Sequence, residues 1–86
     1  MKPIRWSAHA EKQLVYREID RREGERTLEQ PDDILPSGLE RSIYQRRYFD
    51  KLLNEEMLLR IVVEEKALER VVVTLYKTSR LDKYGR

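Results

Sequence analysis

Arg60, Tyr76, Lys77 and Arg80 are residues of the kinds that can cleave a phosphodiester without a metal ion. RNA carries its own nucleophile, the 2′-hydroxyl. A protein need only orient it, set cations against the developing charge, and supply a base and an acid. Cations near a phenol stabilise its ionised form. Tyr76, with Arg46, Arg60, Lys77 and Arg80 around it in the pattern, is the candidate base. Tyr44 and Arg46, with Lys83 and Tyr84 in the tail, extend the set to a surface of cations for phosphates and rings for bases, as single-stranded RNA binding requires. The competing explanation is a solvated sheet face, where Arg and Tyr are both common. The pattern alone weighs the two evenly.

Other chemistries lack residues. His9 is the only histidine and cysteine is absent, so neither a metal site nor a disulfide is expected. A Ser-His-acid triad would have to use His9, and the adjacent Ser7 is better explained as a helix cap. The paired carboxylates at 32/33, 55/56 and 64/65 read as solubilising charge. The three scattered glycines make no phosphate-binding loop, and no cofactor is expected.

Eighty-six residues make one domain, 1–86, with 79–86 as a short basic tail. Apolar and charged residues each make up 40%, which leaves a thin core. There is no membrane-length apolar run and no secretory leader, so a cytoplasmic setting is expected. Between Glu18 and Asp33, seven acids face three arginines, a net of −4. Between Arg70 and Arg86, five bases face one acid, a net of +4. Such asymmetry can orient a polyanion.

The elements that must hold the candidate residues centre on Leu58–Thr78. Met57–Val63 and Arg70–Tyr76 are β-branched runs around a charged break, which predicts an antiparallel hairpin with a loop longer than two residues. Ile4–Trp6 reads as an edge strand and Ala8–Glu18 as a helix capped by Ser7, with Ala8, Leu14, Val15 and Ile19 as its apolar stripe. Asp20 and Glu23 have capping-box spacing for a second helix to about Glu29, weakened by Gly24. Pro31 and Pro36 bracket a loop with Ile34 and Leu35 turned inward. Glu40–Phe49 reads as a strand, and Asp50–Glu56 as a connection with one helical turn. The fold class is α+β, in the order strand-helix-helix-strand-strand-strand, an antiparallel sheet with two helices on one face.

Alternation puts Leu59, Ile61 and Val63 with Val71, Val73 and Leu75 beneath the helices. Arg60, Val62, Glu64, Val72, Thr74, Tyr76 and Thr78 then lie opposite. Tyr44, Arg46 and Tyr48 are expected beside Arg60 and Tyr76.

His9-Ala10, then Leu14, Arg17, Ile19, Leu28 and Pro31, resemble the front half of a family of small bacterial and archaeal proteins of unknown function. Leu58–Val62, Val73–Ser79 and Lys83-Tyr84 are similar to its back half. That family is grouped with the RelE/ParE toxins. The resemblance implies the same strand-helix-helix-meander fold and a partner antitoxin. It also implies either metal-independent endonuclease action on messenger RNA, free or ribosome-bound, or a protein target such as gyrase. RelE-like toxins use Arg and Lys on the sheet and a Tyr or His near the C-terminus. Arg60, Tyr76, Lys77, Arg80 and Tyr84 occupy similar regions; His9 and Arg17 are pattern residues with no assigned role. Gly24 and the acidic stretch Asp50–Glu56 depart from the pattern. A non-catalytic module binding an antitoxin, gyrase or a second copy is the rival reading.

Overall fold

In the computed structural model, which describes residues 2–81, the elements run β1 (Ile4–Trp6), α1 (Ala8–Tyr16), α2 (Arg21–Glu29), β2 (Asp33–Pro36), β3 (Arg41–Asp50), β4 (Glu55–Glu65) and β5 (Arg70–Thr78). The strands form one sheet ordered β1-β5-β4-β3-β2. The chain therefore starts at one edge of the sheet, and its helices carry it to the other edge before the meander returns. The α+β expectation holds, with two differences. β1 runs parallel to β5, so the sheet is mixed. The stretch between the prolines is a fifth strand rather than a loop, pairing Asp33–Pro36 with Gln45–Ser42. Pro36 is tolerated there because β2 is an edge strand. Ile34 is exposed rather than tucked inward.

Ser7 starts α1 by accepting from the Ala10 N–H at 3.0 Å. The helix ends two residues before the expected Glu18. Ile19 N–H donates to Leu14 O at 2.8 Å and Glu18 N–H to Val15 O at 3.2 Å. These two bonds make a Schellman cap with Glu18 left-handed at φ 52°, and Leu14 and Ile19, both buried, supply its apolar contact. The inward stripe is Ala10 and Leu14; Ala8 and Val15 face out. Asp20 caps α2 by accepting from Arg22 N–H at 2.9 Å. The Glu23 carboxylate does not close the expected box, because it pairs instead with Arg26 and Arg46.

Partners across the sheet share a face. Tyr44, Arg46 and Tyr48 of β3 stand opposite Ile61, Leu59 and Met57 of β4. Leu59 and Ile61 stand opposite Lys77 and Leu75 of β5. All but Arg46 and Lys77 join Ala10, Leu14, Ile19 and Leu28 in the core beneath the helices. Val72 and Val63 belong to this core as well, which follows from a bulge. Val62 pairs with Thr74 but Val63 with Val72, so Val73 is the extra residue on β5. The parity of β5 changes there. Val72 joins Leu75 on the helix side, while Val71 and Val73, expected there, do not belong to the core cluster. Ser7 fixes the bulge to the start of α1: its hydroxyl donates to Val73 O at 3.1 Å and its N–H to Val72 O at 3.1 Å.

Gly24 is buried because α2 crosses Trp6 closely. A Cβ at Gly24 would lie 2.8 Å from the Trp6 ring. Arg21 lies over the same ring at 4.9 Å from its centroid. Gly24→Ala should gain about 1 kcal/mol of helix propensity but lose about 1–3 kcal/mol by overpacking. The expected net result is a lower urea midpoint, with altered emission from Trp6, the only tryptophan; an unchanged spectrum and a raised midpoint would refute the packing argument. Ser7→Ala removes both the cap and the partner of the bulge carbonyl. It should cost about 1–2 kcal/mol in denaturant unfolding.

Candidate nucleic-acid interface

The face of the sheet away from α1 and α2 carries one row of polar side chains across four strands, beginning with Asp33 of β2 opposite Gln45. Gln45 of β3 stands opposite Arg60 of β4, and Arg60 opposite Tyr76 of β5. Arg60 Nε donates to Gln45 Oε1 at 3.0 Å, and a terminal guanidinium nitrogen donates to the Tyr76 hydroxyl oxygen at 2.6 Å. The guanidinium carbon lies 5.8 Å from the Tyr76 ring centroid. Arg60 is 8% exposed and Gln45 2%, while Tyr76 is half-buried. The row therefore presents the phenol, backed by a covered cation. Arg47 and Phe49, both exposed, continue the face along β3, and exposed Arg80 follows the end of β5.

Arg60 and Tyr76 are thus brought together as expected. Tyr44, Arg46 and Lys77 are not, because alternation fixes them on the helix side. Tyr44 is core. Arg46 pairs with Glu23 and donates to Thr27 Oγ1 at 3.4 Å, which ties β3 to α2. Lys77 donates to Asp50 Oδ2 at 2.6 Å and to Glu18 O at 2.9 Å. His9 and Arg17 are exposed on α1, which packs on the face opposite Arg60 and Tyr76. Arg17 bonds Gln13 of its own helix rather than an acid of α2. Lys83 and Tyr84 lie outside the described residues. Gln45, Arg47 and Phe49 of β3 stand on this face in place of the expected Tyr44, Arg46 and Tyr48. Their own alternation was visible, but only the register Gln45↔Arg60 gives it a side.

Asp50 is a further residue that the pattern understated. Its carboxylate accepts from the Tyr48 hydroxyl at 3.2 Å, from Lys77, and from Leu52 and Leu53 N–H at 3.0 and 3.1 Å. Thus the stretch 51–54 is a turn organised by Asp50, which also anchors β5 and, through Lys77, the end of α1. Burial disfavours the Asp50 carboxylate, but the Lys77 ammonium, the Leu53 N–H and the Tyr48 hydroxyl outweigh it and hold its pKa below the usual value. Burial first, and then the Asp50 charge, push the Tyr48 phenol well up.

Among the described residues there is no cluster of three potential metal ligands, and no helix is long and apolar enough to cross a membrane. A cleft of about 300 Å³ beside α2 is lined by Glu18, Glu23, Arg26, Tyr48, Asp50 and Lys51, among others. Its carboxylates Glu23 and Asp50 are already committed to Arg26, Arg46 and Lys77. Comparison with known protein families, characterised proteins and solved structures gives no match.

The depressed pKa of Asp50 has a signed consequence. Its contribution to stability is complete above the unfolded-chain value near 3.8 and is lost as pH falls through the lower folded value. Asp50→Asn should destabilise the fold by about 3 kcal/mol at pH 7, since it leaves Lys77 without its carboxylate. It should also flatten the fall of the urea midpoint below pH 4. An unchanged acid limb in the variant would show that Asp50 is not the group responsible.

Proposed function

We propose that this is a RelE-like, toxin-type protein that binds RNA on the sheet face away from α1 and α2 and cleaves it as a metal-independent messenger RNA endonuclease. The observation that carries the reading is the Arg60–Tyr76 pair, joined at 2.6 Å on that face. In-line cleavage forms a bond from the 2′-oxygen to phosphorus and breaks the bond from phosphorus to the 5′-oxygen. The 2′-hydroxyl proton must leave and the 5′-oxygen must gain one. Tyr76 takes the first proton as a phenolate, whose charge the guanidinium bonded to its oxygen balances, and becomes a neutral phenol; water gives the 5′-oxygen its proton. Arg60, nearly covered, acts behind the phenol. Arg80 and Arg47, both exposed, meet the phosphates, and Phe49 offers a ring to a base. Arg46, Tyr44 and Lys77 belong to the scaffold in this scheme. The toxin reading further implies an antitoxin partner.

A second reading, a protein-interaction module, is favoured by one observation. Val15, Tyr16 and Leu52 are 81%, 82% and 73% exposed on the helix side of the molecule. Apolar side chains so exposed suit an antitoxin, gyrase or self-association.

The two readings separate on a labelled single-stranded RNA in chelator-treated buffer. Cleavage to 2′,3′-cyclic phosphate ends is expected. Tyr76→Phe and Arg60→Ala should each lower its rate by about 10²-fold or more, and Tyr76→Phe should leave binding nearly intact. Absence of both cleavage and salt-dependent binding removes the RNA reading. A stable dimer in light scattering, with no affinity for RNA, would leave the interaction module.

A further inference from the structure

We infer that the outer edge of β1 is a docking site for an extended, basic segment of another protein, which adds to the sheet as a further strand beside α2. This site is separate from the Arg60–Tyr76 row and does not rest on the RNA reading. β1 is the last strand at its end of the sheet. Its pairing with β5 is parallel, with Arg70 N–H donating to Pro3 O at 2.9 Å and Ser7 N–H to Val72 O at 3.1 Å. Peptide groups alternate in direction along a strand, so residues 3, 5 and 7 turn theirs to β5. The N–H and C=O groups of Ile4 and Trp6 therefore point to the open edge, where an added strand forms its bonds.

Beside that edge lies a groove of about 390 Å³ lined by Ile4, Trp6, Glu25, Leu28 and Glu29. Trp6 is the register partner of the core residue Val72, so Trp6 and Ile4, two residues apart, both turn to the side of α2. With Leu28 they make an apolar floor, of which Ile4 is 37% exposed. The rim is acidic. Glu25 and Glu29 are exposed and one turn apart on α2. Among the described residues neither has a cation partner. Nearby acids do: Glu23 holds Arg26 and Arg46, and Glu69 holds Arg5.

These features select the occupant. An added strand turns alternate side chains toward the groove. There they meet an apolar floor and two uncompensated carboxylates, so apolar and basic residues at alternate positions fit. A second copy of this chain fits poorly. Its own β1 would bring the same two carboxylates. Its other edge, β2, begins at Asp33, where the stretch of net charge −4 ends, and closes on Pro36, which has no N–H to donate.

The test adds a short fluorescein-labelled peptide, in which threonine alternates with valine and lysine in turn, to the full chain and follows anisotropy. Saturable binding that weakens with salt is expected, with a shift in the emission of Trp6. Glu25→Lys combined with Glu29→Lys should keep the thermal midpoint and weaken binding by about tenfold. Two further peptides, N-methylated at one or the other alternate set of residues, lose their N–H donors along one edge only. One of the two should bind about tenfold or more weaker on the unaltered protein, and the other should bind as before. Equal binding of the two methylated peptides overturns the added strand. Unchanged binding by the charge-reversed variant overturns the basic occupant. No binding of the unmethylated peptide overturns the inference whole, as does a stable dimer in light scattering that Ile4→Lys disperses, which gives the edge to a second copy. RNA cleavage enters none of these readouts, so the RNA reading and this one fail separately.

Discussion

One extra residue on one strand decides which side chains this sheet shows to its helices. A strand alternates strictly, and strict alternation through Arg70–Thr78 would bury Val71, Val73 and Leu75 together. The bulge at Val73 breaks the count, so that Val72 and Leu75 face the helices instead. Val72 is also the register partner of Trp6. The change of parity thus lets the parallel strand β1 deliver its Trp to the same core, where Gly24 gives it room. Ser7 bonds to the bulge carbonyl and begins α1 in the same stroke. The placement of α1, the seat of Trp6 and the close crossing of α2 all descend from that local irregularity. Below the bulge, alternation resumes and sets Tyr76 beside Arg60.

What the sequence discloses follows from how local the deciding physics is. Ser7 and Asp20 announce their helices because capping is settled within three residues. The hairpin announces itself because two β-branched runs flank a short charged break. Long-range matters stay hidden. β3 alternates Tyr44, Arg46 and Tyr48 with Ile43, Gln45, Arg47 and Phe49, and each set is half polar, so neither declares a side. The register Tyr44↔Ile61 decides it, and no pattern within β3 encodes that pairing. β2 was hidden for a similar reason. Its prolines mark a loop by local rules, while its pairing to Ser42–Gln45 is visible only from β3. The cost of Gly24 to α2 was legible, but its reason, the ring of Trp6, lies eighteen positions away in the chain.

The two faces use related side chains for opposite ends. On the helix side a phenol, a carboxylate and an ammonium meet: Tyr48, Asp50 and Lys77. Opposite charges cancel there, and what remains is a clasp between a turn, a strand and the end of a helix. On the other side a phenol, an amide and a guanidinium meet: Tyr76, Gln45 and Arg60. No member of this second trio is a carboxylate; the row's acid, Asp33, stands in register beyond Gln45.

That difference explains why residue type alone misplaced Lys77 and Arg46. Both are cations on strands rich in Tyr and Arg, as Arg60 is. A cation on a covered face must bring an acid with it, because burial of an uncompensated charge costs several kcal/mol. Lys77 brings Asp50 and Arg46 brings Glu23. The sequence suggests another role for each acid: Asp50 in the connection after β3, and Glu23 in the capping box of α2. Those two acids were the signal that their cations face inward. Arg60 is covered as well, on the other face, where Gln45 and Tyr76 bond it and Asp33 stands in register beyond Gln45.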